Sequence, residues 1–372
     1  MDICRIAQRF PLVARPRPAC SPLTERVREI STLAEAAQHD GGLSTAATAL
    51  NRAALVASDC GLPDLARDLC WRHAEIYLTG QPLNGQEARL ALEPLVNLAR
   101  LLIRDGDGEG AYRLLADMYD AVKGKSGTTI GGRWLSLNNL TSTPDGHRAV
   151  CQWLWTVLLG DGTRALVAAQ QWGRARQHVN QHKGVGRRLL DGRQVEVVSR
   201  CLDGDGAAAQ HVLDESALDE AWETCVAACL AVLCRTVSGQ PARHATAHMT
   251  TEYLHLEAPP ELAVFRARLG LVVLELSHSI SAEVIRRLVN DAVFSQDGYV
   301  SRDVLMDPIC SREMTGEERH HLAEAVASTG LGQGLLPASV NEILLSAAEA
   351  GAAAVERSLL MAADPAHDSY SQ

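Results

Sequence analysis

Lysine is nearly missing from this chain of 372 residues, occurring three times against 32 arginines. Phenylalanine also occurs only three times, and aromatic residues make up 4% of the sequence. A core short of large rings must be built mainly from Leu, Val and Ala, which suits closely packed helices. CxxC pairs are absent among the ten cysteines. Several of these (Cys70, Cys151, Cys225, Cys229) lie within apolar helical stretches. That spacing fits reduced, core-filling thiols in a cytoplasmic protein better than a disulfide framework.

No uninterrupted apolar run approaches the length of a membrane span. The first 22 residues carry four arginines and four prolines but no secretory apolar core, and they read as a flexible arm. A formal charge of −10 argues against nucleic acid as the primary ligand, because neutralising phosphates requires a basic surface. Alternating strands joined by hairpin turns are not evident either. What remains is an all-α, soluble, cytoplasmic protein with no membrane association.

What is present is helical periodicity and a recurring unit. Leu92, Leu95, Val96, Ala99, Leu102 and Ile103 share one helical face, as do Ala111, Leu114, Leu115, Met118 and Val122. Residues 49–77 and 95–122 each place a small residue (Ala54, Ala99) seven positions before a glycine (Gly61, Gly106). An alanine (Ala66, Ala111) follows five positions after that glycine. Small residues let two antiparallel helices approach closely, and the glycine supplies the turn. DGDG at 105–108 returns at 203–206, superposing Ala111 on Ala209 and Leu115 on Leu213. A weaker unit surrounds Trp172, and 123–147 breaks the pattern as a long inter-repeat loop.

This spacing resembles a degenerate tetratricopeptide repeat, whose unit is about 34 residues. The family's early Trp is replaced by Leu50 and Leu95, its closing Pro is missing, and Gly61 and Gly106 are 45 residues apart. The resemblance implies an α-solenoid or α-α superhelix of helix pairs. Its expected layout is an arm at 1–25, a repeat domain at 26–362 with a final capping helix, and a frayed tail at 363–372. The segment ASDCGLPDLARDLCWR also resembles helical-repeat proteins of actinobacteria, some of which accompany regulatory or specialised-metabolite genes. The abundance of Arg, Ala and Gly suggests a GC-rich bacterial genome.

Several short motifs have ordinary readings. DGDGEG (105–110) imitates a calcium loop, but its twelfth position is Ala116 rather than a bidentate carboxylate, and it lies where a turn is required. GKS (124–126) lacks the earlier P-loop glycine, where Tyr119 stands, and GLGQG (330–334) has no leading strand. His244, His248 and Glu252 fall at i, i+4 and i+8 on a helix over 242–255. They are the metal candidates, although polar helix faces often collect such residues, and no cofactor is implied. Between Arg174 and Arg200, the cations Arg174, Arg176, Lys183, Arg187, Arg188, Arg193 and Arg200 face only Asp191 and Glu196. On a repeat surface they form a candidate partner-binding clamp for a carboxylate, phosphate or acidic peptide. The competing reading pairs them with acidic residues of neighbouring repeats.

The function expected from these features is non-enzymatic: a scaffold, accessory subunit or regulator that holds a protein or peptide partner. The alternative is an accessory or catalytic component of a bacterial biosynthetic complex acting on a peptide or small metabolite. Either reading is compatible with a homo-oligomer, and neither names a catalytic residue.

Overall fold

The computed structural model describes residues 2–257, 259–277 and 281–363. The fold is all-α. Two compact units are distinguished, one built from Met1–Pro22 and Leu166–Thr329, the other from Leu23–Ala165 and Gly330–Gln372. The stretch read as one repeat domain, 26–362, is therefore divided between them. Apart from Ala363, the tail expected to fray lies outside the described residues.

The second unit contains α2 (Leu23–Asp40), α3 (Leu43–Asp59), α4 (Pro63–Thr79), α5 (Gly85–Arg104), α6 (Gly108–Gly124) and α7 (Pro144–Val157). A π-helical turn at Leu158–Gly162 follows α7, and α8 (Thr163–Ala168) leads out of this unit. The first unit begins with α1 (Ile3–Ala7) and continues with α9 (Trp172–Gln181), α10 (Asp191–Leu202), α11 (Gly206–Asp214) and α12 (Ala221–Val237). It is completed by α13 (Arg243–His255), α14 (Ala263–Leu276), α15 (Ala282–Ser295), α16 (Gly298–Met306), α17 (Pro308–Glu313) and α18 (Gly316–Thr329). The chain ends with α19 (Ala338–Ala363), which belongs to the second unit.

One turn recurs along the chain and explains the small–Gly–Ala signature. Gly61, Gly106, Gly204 and Gly239 all have positive φ, between 65° and 84°. The amide of each donates to the carbonyl three residues earlier, and the next amide donates five residues back (Leu62 to Ala57, Asp107 to Leu102, Asp205 to Arg200, Gln240 to Arg235). This is the left-handed termination that satisfies the last helical carbonyls. Asp107 and Asp205 then cap α6 and α11 through the amides of Gly110 and Ala208. DGDG is thus a helix stop followed by a helix start. Gln170 makes the same turn without a glycine, at φ 58°, with Gln171 donating to Leu166. Lys183, at φ 53°, closes α9 in the same way, with Gly184 donating to Val179, so the first unit has this turn at 170, 183, 204 and 239. Those that follow α8, α10 and α12, at 170, 204 and 239, are 34 and 35 residues apart. Ala54, Ala66, Ala99, Ala111 and Ala209 are all buried on the paired helices.

Three features differ from the sequence reading. The 123–147 segment is not wholly a loop: β1 (Gly127–Ile130) and β2 (Arg133–Ser136) form an antiparallel hairpin closed by Gly131–Gly132. Both glycines have positive φ, the requirement of a type I′ turn, whose twist matches that of the strands. Residues 2–22, read as a flexible arm, are packed: Ile6, Ala7, Phe10, Leu12 and Cys20 are buried. The fully buried Gln194 side chain accepts from the Leu12 amide at 2.7 Å and donates to its carbonyl at 2.7 Å, holding the segment like a strand partner. Finally, α19 packs along α2 and α3, so it covers the first helix pair of its unit rather than the last. Leu344, Ala348, Ala352 and Val355 form its buried stripe.

Candidate partner-binding site

The arginine-rich segment spans α9, the loop to α10 and α10 itself, all in the first unit. Its cations have different fates. Arg176 and Arg200 both reach the buried carboxylate of Glu196, each through Nε at 3.0 Å, and Asn180 donates to the other oxygen at 3.0 Å. Arg193 is itself buried. It donates to Ser216 Oγ at 2.9 Å and to the carbonyls of Gly186 (3.1 Å) and Val212 (2.7 Å). This side chain ties the loop to α11.

Arg188 makes a two-point contact with Glu223, Nε and Nη2 each at 3.1 Å, and also reaches Glu220. Burial pushes the fully enclosed Glu223 carboxyl upward. The Arg188 contact and the amides of Asp219 and Glu220 outweigh this and leave it below its ordinary value. The same carboxylates raise the Arg188 pKa further. Arg174 donates to Gln171 at the start of α9.

Of the cations proposed as a clamp, Arg176, Arg188 and Arg193 (and Arg200 beside them) are therefore committed to internal acceptors. Lys183 and Arg187 are exposed, and no ion pair is found for either among the described residues. They lie on the 182–190 loop, which is anchored by the Ala217 amide donating to the Arg187 carbonyl at 2.8 Å. Leu190 and Leu218 flank that anchor and are about two-fifths exposed, at 42% and 41%. The loop and the α11–α12 connection bridged to it therefore present two cations and two apolar side chains. Sequence reasoning found the cations but not the leucines, whose exposure depends on the backbone bridge between Arg188 and Ala217.

The histidine candidates stay apart from this loop in sequence and element. His244 and His248 are exposed on α13, with His248 Nδ1 3.6 Å from Glu252 Oε1. Among the described residues no group of three His, Cys, Asp or Glu side chains is placed to hold a metal ion. The rings of His178 on α9 and His182 at its end have centroids 4.5 Å apart and planes tilted by 50°. Among the tryptophans, Trp71, Trp172 and Trp222 are buried, whereas Trp134 on β2 is 70% exposed. No described helix is long and apolar enough to cross a membrane. Comparison with protein-family models, with curated proteins and with solved structures returns no match.

Proposed function

We propose that the protein is a non-enzymatic helical-repeat module, of the tetratricopeptide-like kind, that holds a protein or peptide partner as a scaffold, accessory subunit or regulator. The observation that carries this reading is the recurrence of one helix-pair turn at 34- and 35-residue steps. Stacked pairs of this length commonly build extended recognition surfaces, in which contacts are spread over many repeats. The 182–190 loop supplies recognition chemistry on such a surface. Lys183 and Arg187 favour an acidic partner, and Leu190 and Leu218 provide apolar anchoring.

The test is a cross-linking comparison in the native host between the wild type and the Lys183→Glu/Arg187→Glu double variant. Partners identified by mass spectrometry are expected to be lost from the variant while its melting temperature stays unchanged. Their undiminished recovery with the variant would overturn the assignment to this loop. Turnover of a metabolite by the purified chain alone would overturn the non-enzymatic reading.

A further inference from the structure

We propose that the second unit carries a binding site for an aliphatic primary ammonium, in the cavity between the end of α4, the start of α5 and the C-terminal part of α19. The cavity measures about 450 Å³, within the range of small-ligand sites. Ile76, Leu83 and Leu359 supply apolar walls, and Thr79 adds a hydroxyl. Two carboxylates, Glu87 and Glu356, line it, with no cationic residue among the described ones. The cavity thus combines apolar walls with negative charge, which matches an alkyl chain ending in an ammonium group.

The two carboxylates differ in how firmly they are held. Glu87 is nearly buried, and its Oε2 accepts from the Asn84 amide at 2.8 Å in the capping box that starts α5. That bond fixes the carboxylate while leaving Oε1 for a second donor. Glu356 is exposed on α19, and no ion pair is found for it among the described residues.

Two buried side chains of α4 carry unmet polarity close in sequence to the cavity, although neither lines it. Ile76 and Gly80 of the cavity share a stripe of α4 with Tyr77 and His73, at the 3- and 4-residue spacings of one helix face. Tyr77 and His73 are buried, and neither the Tyr77 hydroxyl nor either His73 ring nitrogen has a hydrogen-bond partner among the described residues. Burial raises the Tyr77 pKa, and the charges of Glu87 and Glu93 add to the shift. This site lies in a different unit from the 182–190 loop and does not depend on the peptide-binding reading.

Isothermal titration of the full chain with n-hexylammonium, 1-hexanol and hexanoate tests the proposal. Saturable binding of n-hexylammonium is expected, with weaker binding of the alcohol and none of the acid. Glu356→Gln should weaken it about tenfold, the scale of one lost charged hydrogen bond. Thr79→Lys, which brings an ammonium into the cavity in cis at an exposed position, should block it. Both variants should melt like the wild type. Nα-acetyl-lysine methylamide separates the sources: tighter binding than n-hexylammonium points to a peptide lysine, weaker binding to a free amine. Equal binding of alcohol and ammonium, affinity unchanged by both variants, or no binding of any amine would overturn the proposal.

Discussion

Arg104 donates to the buried carboxylate of Asp59 at 2.9 Å, opposite Arg26, which reaches the other oxygen at 2.8 Å. This bracketing of one acid by two guanidinium groups recurs. Asp161 lies between Arg100 and Arg164, Glu196 between Arg176 and Arg200, and Asp291 between Arg266 and Arg287. In each case the acid joins different helices or successive turns of one helix. The scarcity of lysine acquires a physical meaning here. A planar guanidinium presents several donors in a fixed fork and can hold a carboxylate while bonding elsewhere, whereas an ammonium acts as a point charge.

The Asp59 bracket makes a stability prediction. Asp59→Ala removes the carboxylate that the nearly enclosed Arg26 pairs with, and breaking one side of a buried pair costs about 3 kcal/mol or more. Arg104→Ala should cost much less, because Arg104 is 40% exposed and water screens its share of the pair. Urea denaturation at neutral pH should rank the variants in that order. Equal losses would show that α2 and α5 depend on the carboxylate alike.

His73 gives the protein an acid sensitivity. Its ring nitrogens are buried with no hydrogen-bond partner among the described residues, and burial lowers its pKa to about 3. An unfolded chain takes up the proton near pH 6.5, while the folded one resists until about pH 3. The depressed folded pKa therefore contributes stability that is present above pH 6.5 and lost as the pH falls toward 3, by about 1.4 kcal/mol per pH unit. His73→Met keeps an apolar filling and removes this proton uptake. Between pH 7 and pH 5 the stability difference should move about 2 kcal/mol in the variant's favour, measured by denaturant unfolding at each pH. Parallel pH profiles would place the acid sensitivity elsewhere.

Gln170 tests the repeat directly. It occupies the left-handed position that glycine fills at Gly61, Gly106, Gly204 and Gly239, where a side chain costs about 1 kcal/mol. Gln170→Gly should therefore stabilise the fold by about 0.5 kcal/mol after the entropy of the unfolded glycine is counted. Gly204→Gln should lose about 1 kcal/mol at the matching turn. Thermal melts of the two single variants provide the comparison.

How much of this was legible in the sequence follows from the same residues. The turns at 61, 106 and 204 were readable because glycine advertises positive φ and the flanking alanines advertise close helices. The turn at Gln170 was not, since packing there imposes a conformation that local preference disfavours. The hairpin was hidden by its brevity: Thr128–Ile130 and Arg133–Leu135 are too short to show alternation, although Gly131–Gly132 was a usable signal. The packing of residues 2–22 depends on Gln194, 182 positions away from Leu12, which no local pattern discloses. The arginine segment was visible as charge. Its division into internal and exposed cations rests on Glu196 and on Glu223, beyond the segment's end.

That division sets the decisive comparison for the candidate site. Replacing Arg187 and Arg188 together would confound recognition with folding, because Arg188 compensates the fully buried Glu223 whereas Arg187 is exposed. Arg188→Ala alone should lower the melting temperature. The double variant Glu223→Gln/Arg188→Ala should recover part of that loss, because the buried charge is removed along with its partner. Lys183→Ala/Arg187→Ala should leave the melt unchanged and weaken association with an acidic partner, and that association in the wild type should weaken as salt rises. Leu218→Ser should weaken the same association without altering its salt dependence, because it removes apolar contact and no charge. If the alanine double variant instead unfolds the protein, the exposed cations belong to the structural network with Arg188 and Arg193. If it binds normally, recognition lies away from the 182–190 loop.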